Sequence, residues 1–296
     1  MKIVTYSNKN THGYLRYLDS CKKNKIIPIN LAKKNEKFSF VLRLKYMIDF
    51  LKITPPKEII CFTDSWDVIF LDNLENIKKK FISMNIPYLF SAEENFMCVS
   101  NEYNIKKKWP YKKHFLNLGG YIGYNDELLK IFNEIDKHDY YNIPNCDQSV
   151  LYNYFYYNPE KLIIDYNRKI FATYFRKTNL ISNIFLNFCF YKSNYVIKNK
   201  NLFYKDNNNK ISILHYAGKK SFFLNYMAYI KSYYNTFILE ISVELFINFI
   251  VLTIVRYFYS NIFFILFIVV NSFLKEHFTR PIRHYIKYYK RKLIES

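Results

Sequence analysis

A chain of 296 residues, half of them apolar, is long enough to bury the core of one large domain with an appendage, or of two domains. The net charge of +20 would point to nucleic acid or an anionic surface, but the lysines are scattered rather than gathered on one stripe. Nucleic acid therefore ranks behind a phosphate-bearing ligand in a locally positive cleft, and five widely spaced cysteines without a C-x-x-C pair exclude a disulfide framework or a cysteine zinc site.

Residues 1–7 read as a strand and a polar turn, without the long apolar run of a signal peptide. With no N-x-[ST] sequon in the chain either, a reducing, cytoplasmic location is expected. Residues 2–6 form the first expected strand. Residues 11–23 carry Tyr14, Leu15, Leu18 and Cys21 at helical spacing, and residues 26–31 read as a second strand parallel to the first. A helix over residues 38–52 carries Arg43 and Lys45 and is ended by Pro55 and Pro56. Residues 1–70 thus read as the nucleotide-binding half of an α/β domain, without the glycine runs of dinucleotide or P-loop sites.

Residues 60–70, I-C-F-T-D-S-W-D-V-I-F, carry the densest chemistry. Residues 58–63 are a short apolar run bounded by prolines and a polar turn, which fits a buried central parallel strand. Asp64 and Asp67 then stand at its carboxyl end, where open α/β sheets bind ligands. Two carboxylates with no basic residue between them suit a hard divalent cation, Mn²⁺ or Mg²⁺, shared with substrate phosphates. Trp66 offers a flat face to a base. From this motif alone, Asp64 as a cap and Trp66 as core is the competing reading.

Beyond it, residues 73–84 read as a helix and residues 86–93 as a strand ending in Glu93. Residues 115–124, F-L-N-L-G-G-Y-I-G-Y, gather three of the chain's five glycines, so close backbone approach or a positive φ is expected there, or else a turn or bulge. A helix over 126–137 follows. Cys146-Asp147-Gln148 opens a helix over 149–157, where Asp147 either caps or faces the cleft. Residues 162–165 and 169–171 read as short strands, and 174–210 as an irregular loop. Residues 211–219 form a strand that delivers His215, followed by Gly218 and Lys219, a combination that fits a third metal ligand and a phosphate contact.

In order, F-T-D-S-W-D-V-I-F, L-F-S-A-E, F-L-N-L-G-G-Y-I-G-Y, D-Q, L-I-I-D-Y-N-R-K-I-F and L-H-Y-A-G-K resemble the glycosyltransferase domain of the procollagen lysyl hydroxylase/glycosyltransferase family. The procollagen galactosyltransferases are its nearest cousins. The likeness runs over residues 1–220. It implies a GT-A-type α/β fold, a Rossmann-like mixed sheet flanked by helices, with Mn²⁺ and a UDP-glucose or UDP-galactose donor. It also implies a protein or glycan acceptor and a retaining hexosyl transfer. By the same resemblance Asp64, Asp67 and His215 are the metal ligands, and Trp66 stacks on the uracil. Thr5, Gly218 and Lys219 belong to the donor-binding set, Lys219 near the diphosphate, and Arg43 or Lys45 stands near the helix lysine that reaches the donor. Asp147 is placed near the sugar and Glu93 on the acceptor side. Two departures stand out: Cys146 replaces the first acid of the family's D-D-Q, and Cys98-Val99-Ser100 replaces its C-W-P.

Residues 221–296 form a hydrophobic helical appendage of another kind. Residues 237–255 are apolar but interrupted by Glu240 and Glu244, and residues 257–274 run for 18 positions without a charge. Seven Lys or Arg then interleave with aromatics over 275–292. A span, a membrane-surface anchor over 237–292, and a buried helical pair making a homodimer are the alternatives. The rivals to a transferase are a nucleotidyltransferase and a non-catalytic, basic, membrane-binding protein on a decayed transferase scaffold.

Overall fold

The computed structural model describes residues 1–33, 36–94, 96, 109–111, 114–137, 146–175 and 195–217, with 227, 228, 231 and 233. The chain opens as the expected β-α-β unit: β1 (Lys2–Thr5), α1 (His12–Lys23) and β2 (Pro28–Asn30), with β1 and β2 parallel. Thr11 caps α1 through its hydroxyl, which accepts from the Tyr14 amide. Ser39 caps α2 (Phe40–Lys52) in the same way, and β3 (Ile59–Thr63) follows the proline pair. Then come β4 (Val68–Phe70), α3 (Leu74–Ser83), β5 (Tyr88–Glu93), β6 (Phe115–Tyr124), α4 (Asn125–Lys137) and α5 (Asp147–Tyr157). The described chain finishes with β7 (Phe171–Phe175), β8 (Tyr195–Lys198), β9 (Asn201–Tyr204) and β10 (Ile213–Ala217).

Five strands form one sheet in the order β2-β1-β3-β6-β5, and three form another in the order β4-β10-β7. β3 is central, as expected, but its neighbours differ: β1 runs parallel to it and β6 antiparallel. This is the mixed, helix-flanked α/β sheet that the GT-A resemblance implies. The unbroken apolar run of β3 follows from burial on both faces. Ile60 and Phe62 join Val4 in the core under α2, α4 and α5. Ile59 and Cys61 join Ile3 in the core under α1 and α3.

Two readings need correction. The expected strands at 162–165 and 169–171 are a single parallel bridge from Ile164 to Phe90, and a later strand, β7, that starts only at Phe171. Between them the Asp165 carboxylate accepts from the amides of Lys169, Ile170 and Phe171, which winds this stretch into a turn. The expected loop over 174–210 contains the hairpin β8–β9, whose alternating Tyr195, Ile197, Leu202 and Tyr204 pack on the second sheet. Met227, Ala228 and Tyr233 join the same cluster, so residues beyond 220 complete this core. Residues 257–274 and the basic stretch after them lie outside the described residues, and among the described residues no helix is long and apolar enough to cross a membrane.

Candidate metal and donor site

β3 and β6 lie side by side, and the Asp64 amide donates to the Gly119 carbonyl at 2.8 Å, so the first carboxylate leaves the sheet beside the glycines. Asp67 precedes β4, whose antiparallel partner β10 sets His215 opposite Val68. The meeting of the two sheets therefore brings Asp64, Asp67 and His215 together, with one donor atom from each within 4.8 Å of the others. His215 Nε2 stands 3.4 Å from Asp67 Oδ1 and 3.9 Å from Asp64 Oδ2. Burial opposes a charge on His215, but Asp67, Asp64 and Glu93 outweigh it and raise its pKa.

Gly119 lets these groups pack directly against the backbone of β6. A Cβ built on it would lie 2.2 Å from His215 Cε1 and 2.7 Å from Asp64 Oδ2. The close approach expected of the glycine cluster is thus made here, inside a regular strand and against the cluster's own side chains. Two carboxylates and an imidazole with one donor atom each within 4.8 Å of the others suit a divalent cation, and these three residues could hold it.

The turn carrying the cluster is pinned from α1. Arg16 Nη2 donates to the Trp66 carbonyl at 3.1 Å, and a Cβ on Gly13 would stand 2.2 Å from that same oxygen. The Trp66 side chain is 46% exposed, as a ligand-facing ring requires and a core ring does not.

Arg43 reaches in from α2. Its guanidinium is buried, forms a short ion pair with Asp64, and donates through Nε to Asp147 Oδ2 at 2.7 Å. Burial works against its charge, yet Asp147 and Asp64 hold its pKa raised. Asp147 is the first residue of α5 and is itself buried, which raises its pKa while Arg43 opposes the rise. Its other oxygen accepts from the Gln148 amide at 2.9 Å. Asp147 thus faces inward rather than capping the helix. Cys146 occupies the cap position and makes no side-chain capping bond.

Glu93 ends β5, 1% exposed. Asn117 and Gln148 orient it. The amide of Gly119 donates to Asn117 Oδ1 and that of Leu118 to Gln148 Oε1, which turns both side-chain NH₂ groups toward Glu93. They donate to its Oε1 at 3.2 and 3.0 Å, while Oε2 is buried without a hydrogen-bond partner among the described residues. Burial pushes the pKa of this carboxyl up to about 7.

Other expected contributors are placed differently. Thr5 is fully buried and its hydroxyl donates to the Thr63 carbonyl at 2.8 Å, tying β1 to β3. Lys45 is exposed, because residues two apart on a helix face different ways and Arg43 takes the inward side. Gly218 and Lys219 lie outside the described residues. Sequence reading assigned no role to Gly13, Arg16, Asn117 or Arg168. The N-L-G-G run held the only usable signal, since an amide next to glycines that crowd a site is placed to orient its neighbours.

The chain was compared with known families, curated proteins and solved structures. Residues 1–237 match the family model described as the PLOD GT domain. Procollagen-lysine,2-oxoglutarate 5-dioxygenase 1 of Bos taurus is 28% identical over 185 residues, which cover 57% of this chain and 24% of that protein. The Rattus norvegicus multifunctional procollagen lysine hydroxylase and glycosyltransferase LH3 is 31% identical over 121 residues, 38% of this chain and 15% of its own. The chain thus spans about a quarter or less of the length of these relatives. A solved glycosyltransferase involved in glycosylation of the major capsid of PBCV-1 aligns with TM-score 0.42 at 14% identity, covering 78% of this chain and 98% of that one.

Proposed function

Because the chain belongs to the PLOD GT domain family, we propose that it is a metal-dependent glycosyltransferase that moves a hexose, glucose or galactose, from a UDP-sugar to a hydroxyl acceptor. The observation that carries this reading is the convergence of Asp64, Asp67 and His215, which pack closely against the backbone of Gly119. A cation held there, Mn²⁺ or Mg²⁺, supplies charge neutralisation for the leaving diphosphate.

The chain's own residues do the rest. Trp66 offers its exposed face to the uracil. Arg43 keeps Asp64 and Asp147 at fixed separation and offsets their charge. Asp147, paired with Arg43, faces the sugar and steadies positive charge developing at the anomeric carbon. Glu93, with one oxygen fixed and one bare, orients the acceptor hydroxyl and takes its proton when in the carboxylate form. Retention at the anomeric carbon is part of the proposal. Hydroxylysine-linked galactose, another glycan and a protein hydroxyl are the acceptor classes to try.

The deciding experiment is UDP release from a panel of UDP-sugars, with Mn²⁺ and with EDTA, beside Asp67→Ala. Metal-dependent release from one sugar, lost in the variant, supports the reading and names the donor. UDP binding without release under any acceptor supports a decayed scaffold, and turnover of UTP in place of UDP-sugar supports a nucleotidyltransferase.

A further inference from the structure

Arg168 is among the largest fully buried side chains of the described fold, and no role in the site has yet been given to it. It sits in the turn wound around Asp165, with a φ of 52°. A buried guanidinium is costly unless acceptors meet its fork. Here Nη1 donates to the Ala92 carbonyl at 3.1 Å and the Thr173 carbonyl at 3.3 Å, and Nη2 to Glu94 Oε1 at 3.2 Å.

These acceptors share a property. The Ala92 carbonyl belongs to the peptide that carries the Glu93 nitrogen, and Glu94 is the next residue, so Arg168 grips the chain on both sides of Glu93. Thr173 lies on β7 as the register partner of His215 on β10. Its hydroxyl also bonds to that of Ser91 on β5. β5 and β7 belong to different sheets, and the Arg168 fork ties them together where one carries Glu93 and the other flanks the metal-ligand strand.

We propose that Arg168 is a positioning residue that fixes the Glu93 carboxyl against the strand pair bearing His215. The proposal rests on the transferase reading for the role of Glu93, but the contact itself does not. Asn117 from β6, Gln148 from α5, His215 from β10 and Arg168 face Glu93 electrostatically, and among them Arg168 carries its positive charge throughout the accessible pH range. Burial is the main cause that raises the Glu93 pKa; Asn117, Gln148 and His215 pull it down, and Arg168 adds the smallest pull in the same direction.

The test uses the full chain with Arg168→Lys and Arg168→Met. Donor turnover is measured across pH, Mn²⁺ affinity is measured directly, and the Glu93 carboxyl is titrated by its infrared band, assigned by loss of that band in Glu93→Gln. Both variants should lower kcat by about 10- to 100-fold, with donor KM and Mn²⁺ affinity unchanged. The Glu93 midpoint should stay in place in Arg168→Lys, which keeps the charge, and rise in Arg168→Met. An Arg168→Lys enzyme with wild-type kcat overturns the proposal, as does an unmoved midpoint in folded Arg168→Met. If Arg168→Met does not fold, kcat of Arg168→Lys decides alone. If the wild-type chain transfers no sugar, the transferase reading fails, and the Glu93 midpoint in Arg168→Met still decides whether Arg168 acts on Glu93.

Discussion

Arg43 closes onto Asp147 across 104 positions of sequence, with Nε at 2.7 Å and Nη2 at 2.5 Å from one carboxylate oxygen. The same guanidinium pairs with Asp64, so a single cation from α2 sits between the first carboxylate of the Asp64–Asp67–His215 cluster and the one that opens α5. Removing it leaves the buried Asp147 and the partly buried Asp64 without their shared cation.

Arg43→Met should therefore destabilise the metal-free protein by about 3–5 kcal/mol, the range for breaking a buried ion pair. Lys45→Ala, on the exposed side of the same helix, should change stability by less than about 0.5 kcal/mol and leave turnover unaltered. Urea denaturation of the two variants checks the contrast, and equal losses would remove Arg43 from its place between the carboxylates.

Gly119→Ala puts a methyl group where the cluster needs room, 2.2 Å from His215 Cε1. Mn²⁺ affinity, followed by the paramagnetic signal of the free ion, should fall by at least tenfold, and overpacking should lower stability by about 1–3 kcal/mol. Wild-type Mn²⁺ affinity in a folded Gly119→Ala protein would show that the cation does not depend on where His215 and Asp64 stand against Gly119.

Glu93 makes stability depend on pH. Its pKa rises from the ordinary glutamate value of 4.5 to about 7 in the fold, so folding favours the protonated form. That contribution is fully present below about pH 4.5 and is lost as pH rises through 7. Ionising the buried carboxyl should cost about 3 kcal/mol by pH 8. Glu93→Gln should abolish this part of the slope and gain stability relative to wild type only on the alkaline side. Urea midpoints taken across that range measure it, and parallel curves for the two proteins would count against a buried, protonated Glu93.

Tyr233 ties the chain beyond β10 to the domain. Its hydroxyl donates to the Phe70 carbonyl at 2.7 Å and accepts from Asn24 Nδ2 at 2.8 Å. Tyr233→Phe should cost about 1–3 kcal/mol by leaving buried groups unmet, and a chain stopped after residue 220 should lose more, because Met227 and Ala228 go with it. Thermal melts of both chains give the comparison. A fragment ending at 220 that melts with the full chain would place the domain boundary there.

The local elements were legible because their signals are local. Thr11, Ser39 and Asn73 cap the helices they precede, and the apolar run of β3 announces burial on both faces. The D-x-x-D spacing and the order of motifs were enough to name Asp64, Asp67 and His215 as one cluster before any distance was known. Sequence could not choose between Arg43 and Lys45, or tell whether Asp147 caps its helix or faces inward, because both questions turn on which way α2 and α5 face when they pack. It missed β8–β9, and it set β7 two residues early because the Asp165 turn draws its order from three backbone amides rather than from a pattern of side chains. Nor could it find Arg168, whose partners are two main-chain carbonyls and a carboxylate on strands far apart in the chain. Composition and periodicity report what one segment prefers. Only the closing of two sheets on each other decides which buried charge meets which acceptor.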